Sequence, residues 1–111
     1  MNRDKSYLLD LYKAACDAQA VVAGLTAEAF VEDRKAQLAM LYSIVLLGEV
    51  VKRLSPEFRT QHSAVRWRQI AGMRDKLIHD YKEVDILLIW QASQQDIPEL
   101  IKYIQPLLPK K

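Results

Sequence analysis

The sequence predicts an all-α bundle of four to five helices forming one domain over residues 1–111, on three observations. Apolar residues recur three and four apart over long stretches, no stretch shows the strict alternation of a half-buried strand, and no repeat, linker or low-complexity tract interrupts the chain. The first helix follows Asp4, whose carboxylate can accept a bond from a free first-turn N–H. Leu8, Leu11, Ala15, Ala18, Val22 and Leu25 then follow the rhythm of a helix lying along a bundle seam. Gly24 frays its end, and Thr26 can cap a short turn through Phe30. The second long helix starts near Asp33 and runs to about Leu54, where Ser55 and Pro56 stop it and restart a short segment as N-cap and first helical residue. The third covers roughly Trp67 to Asp80. A fourth begins after Asp85, an N-cap ahead of Ile86 to Trp90. Asp96 and Pro98 mark a kink or restart, and Leu100, Ile101, Ile104, Leu107 and Leu108 close the bundle before Pro109, Lys110 and Lys111.

A chain of 111 residues, half of them hydrophobic, buries about two thirds of its surface, which gives a real but thin core. With only 3 Gly and 4 Pro, collagen and low-complexity disorder are excluded, and the single Cys16 cannot form an internal disulfide. Asp4 and Asp10 interrupt what would be the apolar part of a signal peptide, and no run of 18 apolar residues occurs, so a cytoplasmic protein with no membrane partner is expected. From Leu38 to Val51 the residues that are not hydrophobic are Ser43, Gly48 and Glu49. A helix apolar on every side must be covered all round, which predicts a homodimer with this helix at or near its centre. Glu49 falls about 20° from the stripe of Leu38, Tyr42 and Val45, and a carboxylate buried there needs a cationic or hydrogen-bonding partner.

The net charge of +2 does not announce nucleic-acid binding, but the segment 58–74 carries Arg59, Arg66, Arg68 and Arg74 with no acidic residue. Metal-ligand spacings, a glycine-rich phosphate loop and a serine nucleophile elbow are all absent, so neither a metal nor a cofactor is expected. What remains is the third helix. Arg68, Gly72, Asp75 and His79 form one stripe, in which Asp75 and His79 are spaced to pair and Gly72 lets a backbone or ligand come close. On an ideal helix Arg74 shares a face with Tyr81, while His79 points about 140° away. Convergence of Arg74 and His79 therefore needs a bent arginine, a distorted helix end near Tyr81, or a second copy across a two-fold axis.

Arg74-Asp-Lys-Leu-Ile-His79-Asp-Tyr81 fits the pattern R-x-x-x-x-H-x-Y, and here the chain resembles the HepT-like proteins, toxins of the HEPN ribonuclease superfamily. The resemblance extends over nearly the whole chain. It includes Tyr7-Leu8-x-Asp10, Asp33-Arg34-x-x-Gln37, Gly48-Glu49-x-x-Lys52-Arg53-Leu54, Gly72-Met73-Arg74, Val84-Asp85 with Trp90, and Asp96-Ile97-Pro98-x-Leu100. It implies a helical bundle, a homodimer with the motifs near the two-fold interface, metal-independent RNA cleavage, and an antitoxin partner of the minimal nucleotidyltransferase (MNT) type that adenylylates the motif tyrosine, here Tyr81. Related sequences often carry Asn where this chain has Asp75 and Gly where it has Asp80. Two carboxylates beside a phosphate site repel RNA, which points to weakened or lost nuclease activity.

RNA supplies its own nucleophile, the 2′-hydroxyl, so the residues need only move a proton and stabilise a phosphorane. His79 can do the first, for roughly 10²–10⁴ in rate. Arg74, permanently charged and bidentate, can do the second. Asp75 is expected to support them, Arg66, Arg68 and Lys76 to contact RNA phosphates, and Tyr81 to be the modified residue. The competing reading is a non-catalytic helical dimer that binds nucleotide or the nucleotidyltransferase partner.

Overall fold

The computed structural model describes residues 3–109; Met1, Asn2, Lys110 and Lys111 lie outside the described residues, as does the side chain of Tyr81. Asp4–Val22 forms α1 and Ala27–Val31 the one-turn α2, capped by Thr26 Oγ1, which accepts from Ala29 N at 3.1 Å. The chain turns between them through Gly24, whose φ of +79° is a conformation that glycine adopts without strain. α3 spans Arg34–Arg53 behind the Asp33 cap, and the short α4, Pro56–Gln61, behind the Ser55 cap. α5 is Trp67–His79. α6, Ile86–Gln91, starts at the Asp85 cap and passes through a π-helical turn, Ala92–Asp96, straight into α7, Ile97–Ile104. The break expected at Asp96 and Pro98 is thus one widened turn inside a continuous rod. Four long rods and two one-turn helices result, and the described residues contain no strand.

α3 lies at the centre and packs against both α1 and α5, while α2 and α6 also rest on it and α7 packs along α1. Every apolar residue expected on the α1 seam is buried except Leu25, which is half-buried. Phe30 of α2 is fully enclosed and stacks near Trp90 at 5.3 Å between ring centres. Gln37, buried one turn into α3, donates from Nε2 to the carbonyls of Phe30 and Val31, satisfying the end of α2 from inside. Cys16 is half-buried on α1 beside Tyr12.

One expectation is corrected here. Asp4 does not cap α1, which begins at Asp4 itself behind Arg3 with no side-chain cap. Its carboxylate accepts instead from Ser55 N at 2.8 Å and Ser55 Oγ at 2.6 Å, tying the start of α1 to the corner between α3 and α4. α3 is not covered all round within the chain, in keeping with so apolar a helix in a small bundle. Met40, Ile44, Leu47 and Val51 are buried, but Leu38, Tyr42 and Leu46 stand 49%, 68% and 37% exposed. The accessible surface of 7487 Å² exceeds the roughly 6,300 Å² expected of a globular monomer of this mass. The elongated shape, 45 × 30 × 20 Å, and the bare face of α3 agree with that excess. Among the described residues, no helix is long and apolar enough to cross a membrane.

Candidate active site

The site is built where α5 crosses α3. Trp67 anchors the start of α5: its ring is buried against Phe58, and its Nε1 donates to the His62 carbonyl at 2.9 Å. Leu77 fixes the other end in the core, and Ile70 and Met73 pack between them. At the crossing stands Gly48. A Cβ there would run into Cβ of Arg74, lie 2.7 Å from its Cγ and 3.4 Å from the Ile70 carbonyl. The missing side chain of Gly48 is therefore the notch that seats the stem of Arg74 on α3. Gly72, the glycine expected to permit close approach, faces no neighbour within 4 Å of its would-be Cβ.

Seated in that notch, the Arg74 side chain is 22% exposed and its guanidinium is held by two carboxylates. Nη2 donates to Oε1 of Glu49, one residue after the notch, and Nη1 to Oδ1 of Asp75 at 2.8 Å. The same Asp75 oxygen accepts from Lys52 Nζ at 2.5 Å. Arg74 Nε is buried and has no hydrogen-bond partner among the described residues. The Asp75 and Glu49 carboxylates raise the arginine's already high pKa. The Lys52 ammonium, and after it Arg74, hold the Asp75 carboxyl below the ordinary 3.8. Glu49 thus finds the cation that its place on an apolar helix demanded.

Asp75 does not pair with His79. The two cations beside it, one on α3 and one on its own helix, outbid an imidazole one turn away. His79 is the last residue of α5, exposed, and makes no hydrogen bond or ion pair with the described residues. Beyond it the helix stops: Asp80 leaves α geometry and Tyr81–Glu83 form a 3₁₀ turn. The shared face drawn from Arg74 to Tyr81 on an ideal helix consequently ends before Tyr81. Arg68 and Lys76 are exposed on α5. Arg66 stands at the start of α5 without a side-chain cap, its Nη1 3.5 Å from Gln69 Oε1, far along the helix from His79. One chain therefore brings Arg74, Asp75, Glu49 and Lys52 together and leaves His79 free at the helix end.

The family model described as "Ribonuclease HepT-like" matches residues 11–107. The chain belongs to the HepT-like ribonuclease family. Among HepT-like relatives, the protein of Caldanaerobacter subterraneus subsp. tengcongensis named "Putative RNase TTE0752" is 46% identical over 90 residues, which cover 81% of this chain and 80% of that protein. The Thermococcus cleftensis protein named "Probable ribonuclease HepT" is 35% identical over 96 residues, covering 86% and 87%. No solved structure gives a significant match to this chain.

Two features of this HepT-like chain were not singled out as site features in the sequence. Lys52 sits three residues after Glu49, the spacing that places two side chains on one helix face, and that spacing was the available signal. The second is a cleft of about 230 Å³ between α3, α5 and the π-turn, walled by Ile44, Leu47, Ile70, Met73, Ile97 and Leu100. Arg66 and Asp96 stand at it. Burial and the neighbouring Glu99 raise the Asp96 carboxyl, while Arg66 opposes the shift. Arg66 thus faces the cleft and its carboxylate.

Proposed function

We propose that this chain is the endoribonuclease toxin of a type II toxin-antitoxin system, cutting RNA by attack of the 2′-hydroxyl on the adjacent phosphorus. His79 takes the hydroxyl proton as the new P–O bond forms, the 5′-oxygen leaves and is protonated, and Arg74 stabilises the charge on the phosphorane. Nothing in this scheme calls for a metal. The observation that carries the reading is the contrast within the Arg-x-x-x-x-His motif: the arginine is seated and oriented by α3, and the histidine is exposed and unengaged at the helix end. Membership of the HepT-like family and the ribonuclease names of its relatives support it.

A homodimer completes the site. The exposed stripe of Leu38, Tyr42 and Leu46 runs along α3 into Glu49, which already holds Arg74. Docking that stripe on a second copy buries it and carries the Arg74 cluster to the seam, where the partner copy's motif can join it. Control falls to an MNT-type nucleotidyltransferase antitoxin that adenylylates Tyr81. The added phosphate offers Arg74 an internal anion and repels incoming RNA. The test is cleavage of RNA by the purified protein: His79→Ala and Arg74→Ala each abolish it with helix content and assembly mass unchanged. Intact-mass measurement with the antitoxin and ATP shows one adenylyl group on wild type and none on Tyr81→Phe.

A second reading draws on the two carboxylates that occupy Arg74. In it the dimer binds nucleotide or its nucleotidyltransferase partner without catalysis. Wild-type protein that leaves structured and unstructured RNA intact while binding either of those ligands selects it.

A further inference from the structure

The charge count around Arg74 poses a problem that the motif alone does not solve. A phosphate-binding arginine flanked by Asp75 and Glu49 is a cluster of net charge −1, which repels the group it is meant to hold. The structure adds a fourth member. Lys52, reaching across from α3, takes the same Asp75 oxygen that Arg74 uses and brings the cluster to zero. We infer that Lys52 is a positioning residue of this site, neutralising Asp75 so that the Arg74 guanidinium stays available to an RNA phosphate. The inference rests on the RNA-cleaving reading and concerns how this particular chain tolerates an aspartate beside its motif arginine.

The donor inventory agrees. A guanidinium has five N–H donors, and the two carboxylates occupy one on each terminal nitrogen. The ammonium of Lys52 has three donors and spends one on Asp75. Loss of Lys52 leaves Asp75 with one cation where it had two, so its charge falls wholly on Arg74. The Lys52–Asp75 pair is 41% and 45% exposed, and such exposed pairs add little to folding stability. A purely structural Lys52 would accordingly be nearly silent in any assay, whereas a charge-balancing Lys52 acts on phosphate affinity.

The experiment is a double-mutant cycle read by binding of a 2′-O-methyl oligoribonucleotide, which cannot be cleaved, and by cleavage of the same sequence as RNA, both at one ionic strength. Lys52→Met is expected to weaken binding by about tenfold and to raise KM with little change in kcat. Lys52→Arg recovers most of that loss. Asp75→Asn tightens binding by up to about tenfold, and with no Asp75 charge left to neutralise, the Lys52→Met, Asp75→Asn double variant binds within about threefold of Asp75→Asn alone. Unchanged binding by Lys52→Met overturns the inference. So does a double variant about tenfold weaker than Asp75→Asn alone, the additive result, which would make Lys52 a charge acting on phosphate independently of Asp75. If the binding cycle holds and the wild type cleaves nothing, the nuclease reading falls and the role of Lys52 in phosphate binding stands. If the wild type cleaves and the cycle is flat, the reverse is true. A wild type that neither binds nor cleaves removes both.

Discussion

The two faces of α3 are made of the same kinds of residue and meet different fates. Met40, Ile44, Leu47 and Val51 point into the bundle and are at most 3% exposed. About 180° round the helix, Leu38, Tyr42 and Leu46 face outward, and the line they form ends at Glu49. Hydrophobic composition alone cannot separate these faces. What separates them is how much covering a chain of 111 residues can supply: α1 and α5 close over one side of α3, and the other is left bare at the point where the charged cluster begins. The inner face holds the fold together, and the outer face is the surface through which a second copy would reach the site.

The largest test of that contrast places one carboxylate on each face. Met40→Asp buries an unpaired charge in a fully enclosed position, and a loss of more than about 4 kcal/mol should leave no cooperative unfolding transition by circular dichroism. Tyr42→Asp puts the same charge where the ring is 68% exposed. Helix content should persist, while sedimentation should fall from twice 12.8 kDa for the wild type to 12.8 kDa for the variant. Equal disruption by both substitutions would show that the outer face is not a separable assembly surface.

Next in size is the notch between the faces. Gly48→Ala gains about 1 kcal/mol of helix propensity, but the new methyl meets the stem of Arg74 near its backbone, where no flexible end can swing away. Overpacking of this kind costs about 1–3 kcal/mol, so a net loss of about 1–2 kcal/mol in chemical denaturation is expected. Arg74 would be displaced at the same time, so RNA cleavage should fall by more than the stability change explains. A variant as stable and as active as the wild type would mean that α5 can slide without consequence for the motif.

A smaller effect is expected at the far end of α1. Asp4→Ala removes two hydrogen bonds to Ser55 and leaves that corner to water, for a loss of about 1 kcal/mol, with assembly and cleavage unaffected.

These residues also show how far the sequence could be read. Thr26, Ser55 and Asp85 were legible as caps because each bonds a backbone N–H two or three residues away, so the chemistry lies within a single local window. Asp4 looked the same in sequence, yet its partner is Ser55, 51 residues on, and a long-range bond took the place of the local one. The need of Glu49 for a cation was legible from its apolar surroundings. Its partner was not, since Arg74 is 25 residues distant and is brought close by the crossing at Gly48. Asp75 reversed the problem: a local partner, His79, was visible, and a stronger one, Lys52, arrived from another helix. Tyr81 was placed by extrapolating an ideal helix past the point where this one ends.

The smallest effect separates the charged cluster from the cleft by the sign of a pH response. Asp75 faces Lys52 and Arg74, with Glu49 beyond the guanidinium, and its carboxyl is held below 3.8 in the folded chain. On unfolding it takes up a proton more readily, so its contribution to stability is complete above the ordinary carboxylate range and is lost as pH falls through the depressed folded value. Asp96 lies against the cleft, with Glu99 adding to its burial and Arg66 opposing, and its carboxyl is raised. Its charged form penalises the folded state above that raised value, and the penalty disappears as pH falls towards 3.8. The difference in unfolding midpoint between wild type and Asp75→Asn should therefore favour the wild type evenly from pH 7 to about pH 5 and shrink below about pH 4. The difference between wild type and Asp96→Asn should favour the variant at pH 7 and close as the solution is acidified towards pH 4. Parallel curves for the two variants would mean that Lys52 and Arg74 act on Asp75 no more strongly than solvent does, and that the cleft does not set Asp96 apart.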